Sequence, residues 1–246
     1  AHDSLSNFEY LKDINNSDYN IIFNNSDYDE STILTYSKYW IEAQKKTKIT
    51  NGSFGFFKTH NARVCINNNN YTNSSVTKGF VYIYRDPRDI CISYSKHMNK
   101  DINHVVDFLL DGQIMEKEKV NNKMPEILLN WNDHYLSWKN FSNEVPGLFI
   151  RYEDLLNNTQ EVLLELIEFL QKTIKIRFEM NNSKLMNVIK TTSFEVLKKK
   201  EQKDGFKEAS KSSKFFRSGK SKQWEKILNK KQINLIEESF NTYMKK

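Results

Sequence analysis

Gly79–Ser93 reads GFVYIYRDPRDICIS. Its first six residues are a glycine followed by aromatic and β-branched side chains, the composition of a strand. Asp86 then stands where it can cap a helix, and Pro87 occupies the first turn, where a missing N–H costs nothing. A strand running straight into a capped helix puts Arg85 beside the free N–H groups and partial positive charge of a helix N-terminus, a place suited to phosphate. Arg85 offers a planar fork for phosphate oxygens. Ser93, about two turns into the helix, can present a hydroxyl toward the same side. The same Arg fits a structural ion pair, and Arg88 fits either a further anion contact or a solvated charge.

Working outward, Phe54–Lys58 is an apolar run after the turn signal Asn51-Gly52 and predicts a buried strand. Leu148–Tyr152, after Pro146-Gly147, predicts a third strand. Helices are expected at Ser31–Gln44, at Ile127–Phe141, after an Asn158/Glu161 capping box with the stripe Val162, Leu163, Leu166, Ile167 and Leu170, and at Lys230–Met244. Asn67–Ser75 reads as a polar loop and Lys198–Lys222 as a basic one. Strands separated by helices predict an α/β fold, a central mainly parallel sheet flanked by helices, with ligands bound beyond the carboxyl ends of the strands.

The 246 residues suffice for one large domain, and 37 Lys and Arg against 31 Asp and Glu give a net charge of +6, which suits an anionic partner. Cys65 and Cys91 form neither a disulfide framework nor a zinc site, consistent with a cytoplasmic location. Nothing reaches the roughly 18 apolar residues of a membrane span, and no signal peptide is visible.

Four further segments can carry chemistry. Lys58-Thr59-His60 follows a predicted strand. The histidine suits general-base work and the lysine can offset charge on a leaving oxygen, while both also fit structural or solvated roles. Phe215-Phe216-Arg217-Ser218-Gly219 combines basic residues with a glycine that lets backbone approach a phosphate. Its paired aromatics argue against a purely solvated run. Thr191–Phe194 fits either a nucleobase contact or a helix cap with a core Phe, and Arg151–Leu155 a strand-to-helix junction. His97, His104 and His134 read as surface or structural residues, and Trp131, Tyr135 and Trp138 as core at helical spacing.

The order FFKTH, YIYRDPRDICIS, RYEDL, TTSF and FFRSG, with Trp224 five residues after Gly219, resembles the cytosolic-type sulfotransferase family from about Phe54 to Trp224. The resemblance implies a P-loop-nucleotide-binding architecture over a single domain spanning residues 1–246. It implies a reaction in which a sulfonate passes from 3′-phosphoadenylyl sulfate (PAPS) to a hydroxyl or amine, leaving PAP. His60 matches the catalytic base and Lys58 the assisting lysine. Arg85 and Ser93 match residues holding the donor's 3′-phosphate, Arg217, Ser218 and Gly219 the loop closing over it, and Tyr152, Thr192 and Phe194 the adenine contacts. The implied partners are the nucleotide donor and a small-molecule alcohol, phenol or amine, without metal, nucleic acid or membrane.

Two departures from the family pattern stand out. Its N-terminal strand and Pro-Lys-Ser-Gly-type phosphate loop have no counterpart before Asn51, so that element is expected to be missing, and activity depends on it. The C-terminal loop reads Arg-Ser-Gly-Lys-Ser-Lys-Gln-Trp, where the family has Lys after Arg and Gly-Asp before Trp; Lys220 or Lys222 is the candidate replacement for the missing charge. Two alternatives accompany this reading: an anchored secretory-pathway sulfotransferase, against which the Lys-Thr-His triplet speaks, and a non-catalytic nucleotide- or nucleic-acid-binding module that retains the 3′-phosphate site.

Overall fold

The computed structural model describes residues 34, 37–46, 54–111, 115–116, 126–175, 177, 179–206, 208–210 and 213–244. The expectation about an N-terminal strand and phosphate loop lies outside these residues, as do residues 31–33 and 35–36 of the helix expected at Ser31–Gln44. In chain order a short 3-10 turn, Ser37–Tyr39, leads into α1 (Trp40–Lys46), followed by β1 (Cys65–Ile66), β2 (Asn69–Asn70) and β3 (Phe80–Tyr84). Next come α2 (Pro87–Met98), α3 (Ile102–Asp111), β4 (Met115–Glu116), β5 (Glu126–Ile127), α4 (Trp131–Phe141) and β6 (Gly147–Arg151). The remainder is helical: α5 (Tyr152–Asn157), α6 (Thr159–Ile174), α7 (Asn182–Thr191), α8 (Phe194–Asp204), α9 (Trp224–Ile227) and α10 (Lys230–Met244).

The chain divides into two compact units, Ala1–Phe80 with Gly112–Gly147, and Val81–Asp111 with Leu148–Lys246. In the first, Phe80 packs 5.0 Å from Trp138 and stacks 5.7 Å from Phe141, whose side chain is fully buried. Gly147 is required here because a Cβ would lie 2.3 Å from the Phe80 ring. The polar stretch expected as a loop starts in the turn of a tight hairpin, β1–β2, made by Asn67 and Asn68 at φ +48° and +64°. Asparagine tolerates the positive φ that such turns need at both central positions.

In the second unit β3 and β6 are neighbours in a parallel sheet. Each strand runs into a helix at its carboxyl end, and there the Asp86 N–H donates to Glu153 Oε1 at 3.2 Å. Leu148 and Ile150 of β6 pack with Val162 of α6, with Leu155, Leu166 and Phe169 around them, so Val162 and Leu166 of the predicted stripe face the sheet. On β3, Tyr82 meets Phe149 at 5.5 Å, whereas Val81 and Ile83 remain exposed. Helices α2, α3 and α10 pack together around Cys91, Ile92, Val105, Val106, Ile236 and Phe240. Both cysteines are free, and burial pushes the Cys91 thiol up to about 12.

Several local expectations are corrected. Phe54–Lys58 is irregular rather than a buried strand, and Phe56 is 59% exposed. An apolar run becomes a strand only beside a partner, and among the described residues none pairs with it. The helix expected from Ile127 begins at Trp131, because Asn130 caps it through its side chain and Leu129 takes φ +56°. Asn158 makes no side-chain cap; α5 ends immediately before it, and its N–H donates to Asp154 O at 2.7 Å. Residues 198–204 are helical, continuing from Phe194, since Leu197–Lys203 (LKKKEQK) is built from good helix formers.

Phe141→Ala tests the first unit's core. Removing this buried ring should lower unfolding free energy by about 3–5 kcal/mol, read from urea denaturation.

Candidate functional site

Lys58 and His60 lie in the first unit, on a segment fixed by the residues around them. Thr59 Oγ1 bonds Tyr71 Oη at 2.7 Å and accepts the Asn61 N–H at 3.0 Å. Asn61 Oδ1 accepts the Ile127 N–H at 2.8 Å, and Asn61 O accepts the Trp138 indole N–H at 3.1 Å. Ala62, fully buried, donates its N–H to Ile127 O at 2.7 Å, and Arg63 donates its own to Ser137 Oγ at 2.9 Å. The backbone at His60 is therefore set from both sides while its side chain is exposed. His134 of α4, a surface or structural residue by its sequence, places Nε2 3.1 Å from His60 O, where the Nε2–H tautomer donates. Burial pushes the His134 pKa down, with the hydrogen bond to the His60 carbonyl opposing that shift.

The remaining candidates all fall in the second unit. Arg85, at the end of β3, keeps 18% of its side chain exposed. It donates from Nη2 to Lys220 O at 2.8 Å and lies over the Tyr152 ring at 4.5 Å. Burial raises the Tyr152 phenol above its ordinary value, with Arg85 opposing that shift. Asp86 caps α2 as expected, accepting the Arg88 N–H at 2.9 Å. Arg88 is a structural cation: its guanidinium forks onto Asp86, reaches Glu237 and stacks on Trp224 at 3.7 Å. Ser93 is exposed on α2.

Asp89, which the sequence reading passed over, is the hub. Its carboxylate is fully buried, accepts the Lys222 N–H at 2.8 Å and the Trp224 N–H at 3.2 Å, and stands 3.5 Å from Arg85 Nη2. Its signal was its place four residues after Arg85, an ordinary ion-pair spacing. A cleft of about 220 Å³ opens here, lined among others by Asp86, Asp89, Arg151, Glu153, Lys222 and Trp224.

Thr192 ends α7 and turns its hydroxyl back onto Val188 O at 2.7 Å, the capping alternative for that segment. Phe194 instead packs on Gly219: a Cβ there would lie 2.6 Å from the ring, and Gly219 takes φ +61°. Ser218 Oγ donates to Gln223 Oε1 at 3.0 Å, and Arg217 is exposed. The structure thus joins Arg85 to Tyr152 and the 220–224 loop, and Phe194 to Gly219. The arrangement places the Arg85 guanidinium beyond the strand ends, where a phosphate-bearing nucleotide binds in sheets of this kind. No helix among the described residues is long and apolar enough to cross a membrane.

A family model described as "Sulfotransferase domain" matches residues 6–246. Cytosolic sulfotransferase 16 of Arabidopsis thaliana is 30% identical over 201 residues, 75% of this chain and 56% of the relative. Amine sulfotransferase of Oryctolagus cuniculus is 25% identical over 118 residues, 48% of this chain and 36% of that protein. The chain spans about half the length, or less, of the curated relatives it matches. Among solved structures, a mouse sulfotransferase complexed with PAP superposes with a TM-score of 0.51 at 23% identity, covering 67% of this chain and 57% of that one. Retinol dehydratase with retinol and PAP gives 0.60 at 16% identity, covering 92% and 64%. At these identities the structural likeness speaks for the fold.

The first unit gives a pH test. A histidine held neutral by burial makes the folded state bind fewer protons, so its contribution is full above the unfolded value of 6.5 and is lost as pH falls below it. Urea unfolding should therefore show stability dropping on that acid side, with a shallower drop in His134→Gln.

Proposed function

We propose that this chain, which belongs to the sulfotransferase domain family, transfers a sulfonate group from PAPS to a hydroxyl or amine of a small acceptor. The observation that carries the donor half is the strand-end Arg85 held at the start of α2 beside the 217–224 loop. An Arg at a helix N-terminus with backbone amides nearby is how proteins hold a phosphate. In this reading Arg85, Ser93, Arg217, Ser218 and Gly219 hold the 3′-phosphate, and Tyr152, Thr192 and Phe194 meet the adenine. The PAP named in the solved relatives supports the donor assignment. The named retinol complex and the amine sulfotransferase support a small alcohol or amine as acceptor.

The transfer step belongs to His60 and Lys58. The acceptor oxygen or nitrogen forms a bond to sulfur as the bond from sulfur to the 5′-phosphate oxygen breaks. His60 takes the proton released by the acceptor, and Lys58 offsets the negative charge gathering on the departing PAP. Positioning and charge stabilisation dominate such an in-line transfer. The anchoring of Thr59, Asn61 and Ala62 supports this role, since it fixes the His60 backbone before any substrate arrives.

Two measurements test the proposal. Calorimetric titration with PAP should show binding that Arg85→Ala weakens by about 1.5–3 kcal/mol, the range for a hydrogen bond to a charged group; unchanged affinity removes Arg85 from the donor site. With PAPS and a phenol or amine acceptor, His60→Ala should lower turnover by about 10²–10⁴-fold; a variant retaining most of its activity removes His60 as the base.

A further inference from the structure

We infer that Glu201 is the positioning residue of the loop carrying Arg217, Ser218 and Gly219. The inference rests on the donor-site reading above and names what holds the loop half of that site in place. Glu201 lies on α8, where Glu195, Lys199, Lys200, Lys203 and Asp204 are all exposed, yet it is only 5% exposed itself. Its two carboxylate oxygens are used separately. Oε1 accepts the Phe215 N–H at 2.6 Å and Oε2 accepts the Phe216 N–H at 2.9 Å. Consecutive backbone amides are thereby clamped by one ionised group, the stronger kind of hydrogen bond.

The clamp acts where it matters for the loop. Phe194 sits seven residues before Glu201, on the same helical face, and its ring covers Gly219. Phe206, just beyond α8, packs 4.8 Å from Phe215 and 5.2 Å from Phe216. The loop is consequently held at 215–216 by the carboxylate and at 219 by the Phe194 ring, with Arg217 and Ser218 between. The Arg217 N–H closes back on Phe215 O at 2.9 Å, so its exposed side chain leaves from a fixed backbone. Fixing the backbone before binding removes an ordering cost that a free loop would meet on closing over the 3′-phosphate. Glu201 touches no reacting atom in this account; it acts through Arg217.

The test compares the 246-residue chain with Glu201→Gln, titrating PAP and adenosine 5′-phosphate, which lacks the 3′-phosphate, and following amide hydrogen exchange across 213–220. The expected result is PAP affinity weakened roughly tenfold, affinity for adenosine 5′-phosphate within about twofold, and faster exchange confined to the loop. Unchanged PAP affinity with wild-type exchange overturns the inference, as does an equal loss for both nucleotides, which marks general damage. Should Glu201→Gln not fold, Glu201→Asp, which keeps the charge one methylene short, is judged by the same nucleotide pair and the same exchange window. Wild-type protein that binds no PAP sinks the donor reading itself, whereas wild type that binds PAP alongside an unaffected variant sinks only the role of Glu201.

Discussion

A carboxylate with no exposed surface needs donors to compensate for the water it has lost, and Asp89 finds them in the backbone of a distant segment. Its two oxygens take the amides of Lys222 and Trp224, and Arg85 stands beside it. One buried charge thereby joins the end of β3, the first turns of α2 and the start of α9. Trp224, placed by this contact, becomes the surface on which Arg88 stacks, and Arg88 in turn reaches Glu237 of α10. The packing of α2 against α10 and the course of the 217–224 loop depend on the same carboxylate.

That loop shows what departing from a family pattern involves. Lys222 stands where the sulfotransferase pattern has glycine, and it takes φ +57°, a left-handed conformation that disfavours side chains bearing a Cβ. A glycine would adopt this backbone without that penalty. The bond from the Lys222 N–H to Asp89 is the visible compensation. Gly219, also at positive φ, retains its glycine because Phe194 leaves no room for anything larger. Two carboxylates, Asp89 from α2 and Glu201 from α8, therefore hold opposite ends of one stretch of loop through its amides.

The first unit follows a comparable logic with neutral groups. Thr59, Asn61, Ala62 and Arg63 each spend a polar group on an anchor in β5, α4 or the residues after β2. The preceding Phe54–Lys58 has no such anchors in a sheet, which is why a run of apolar residues stays irregular and exposed. Aromatic packing of Phe80, Trp138 and Phe141 supplies the rigid background.

Local chemistry made much of this legible in advance. An aromatic, β-branched run followed by Asp-Pro can hardly be anything but a strand entering a capped helix, because each residue's preference is satisfied within a few neighbours. The stripe of α6 and the extent of α10 were readable for the same reason, and the ordered motifs from Phe54 to Trp224 carried the family. What needed tertiary structure were the groups whose partners are far along the chain. Asp89 meets residues 133 and 135 positions away and Glu201 meets amides 14 and 15 away, and in sequence both look like ordinary helical acids. The start of α4, the loss of the strand at Phe54–Lys58 and the link between His134 and His60 were likewise decided by which neighbours were present to accept or donate a hydrogen bond. Burial and partnership are properties of the assembled fold, so no local pattern records them.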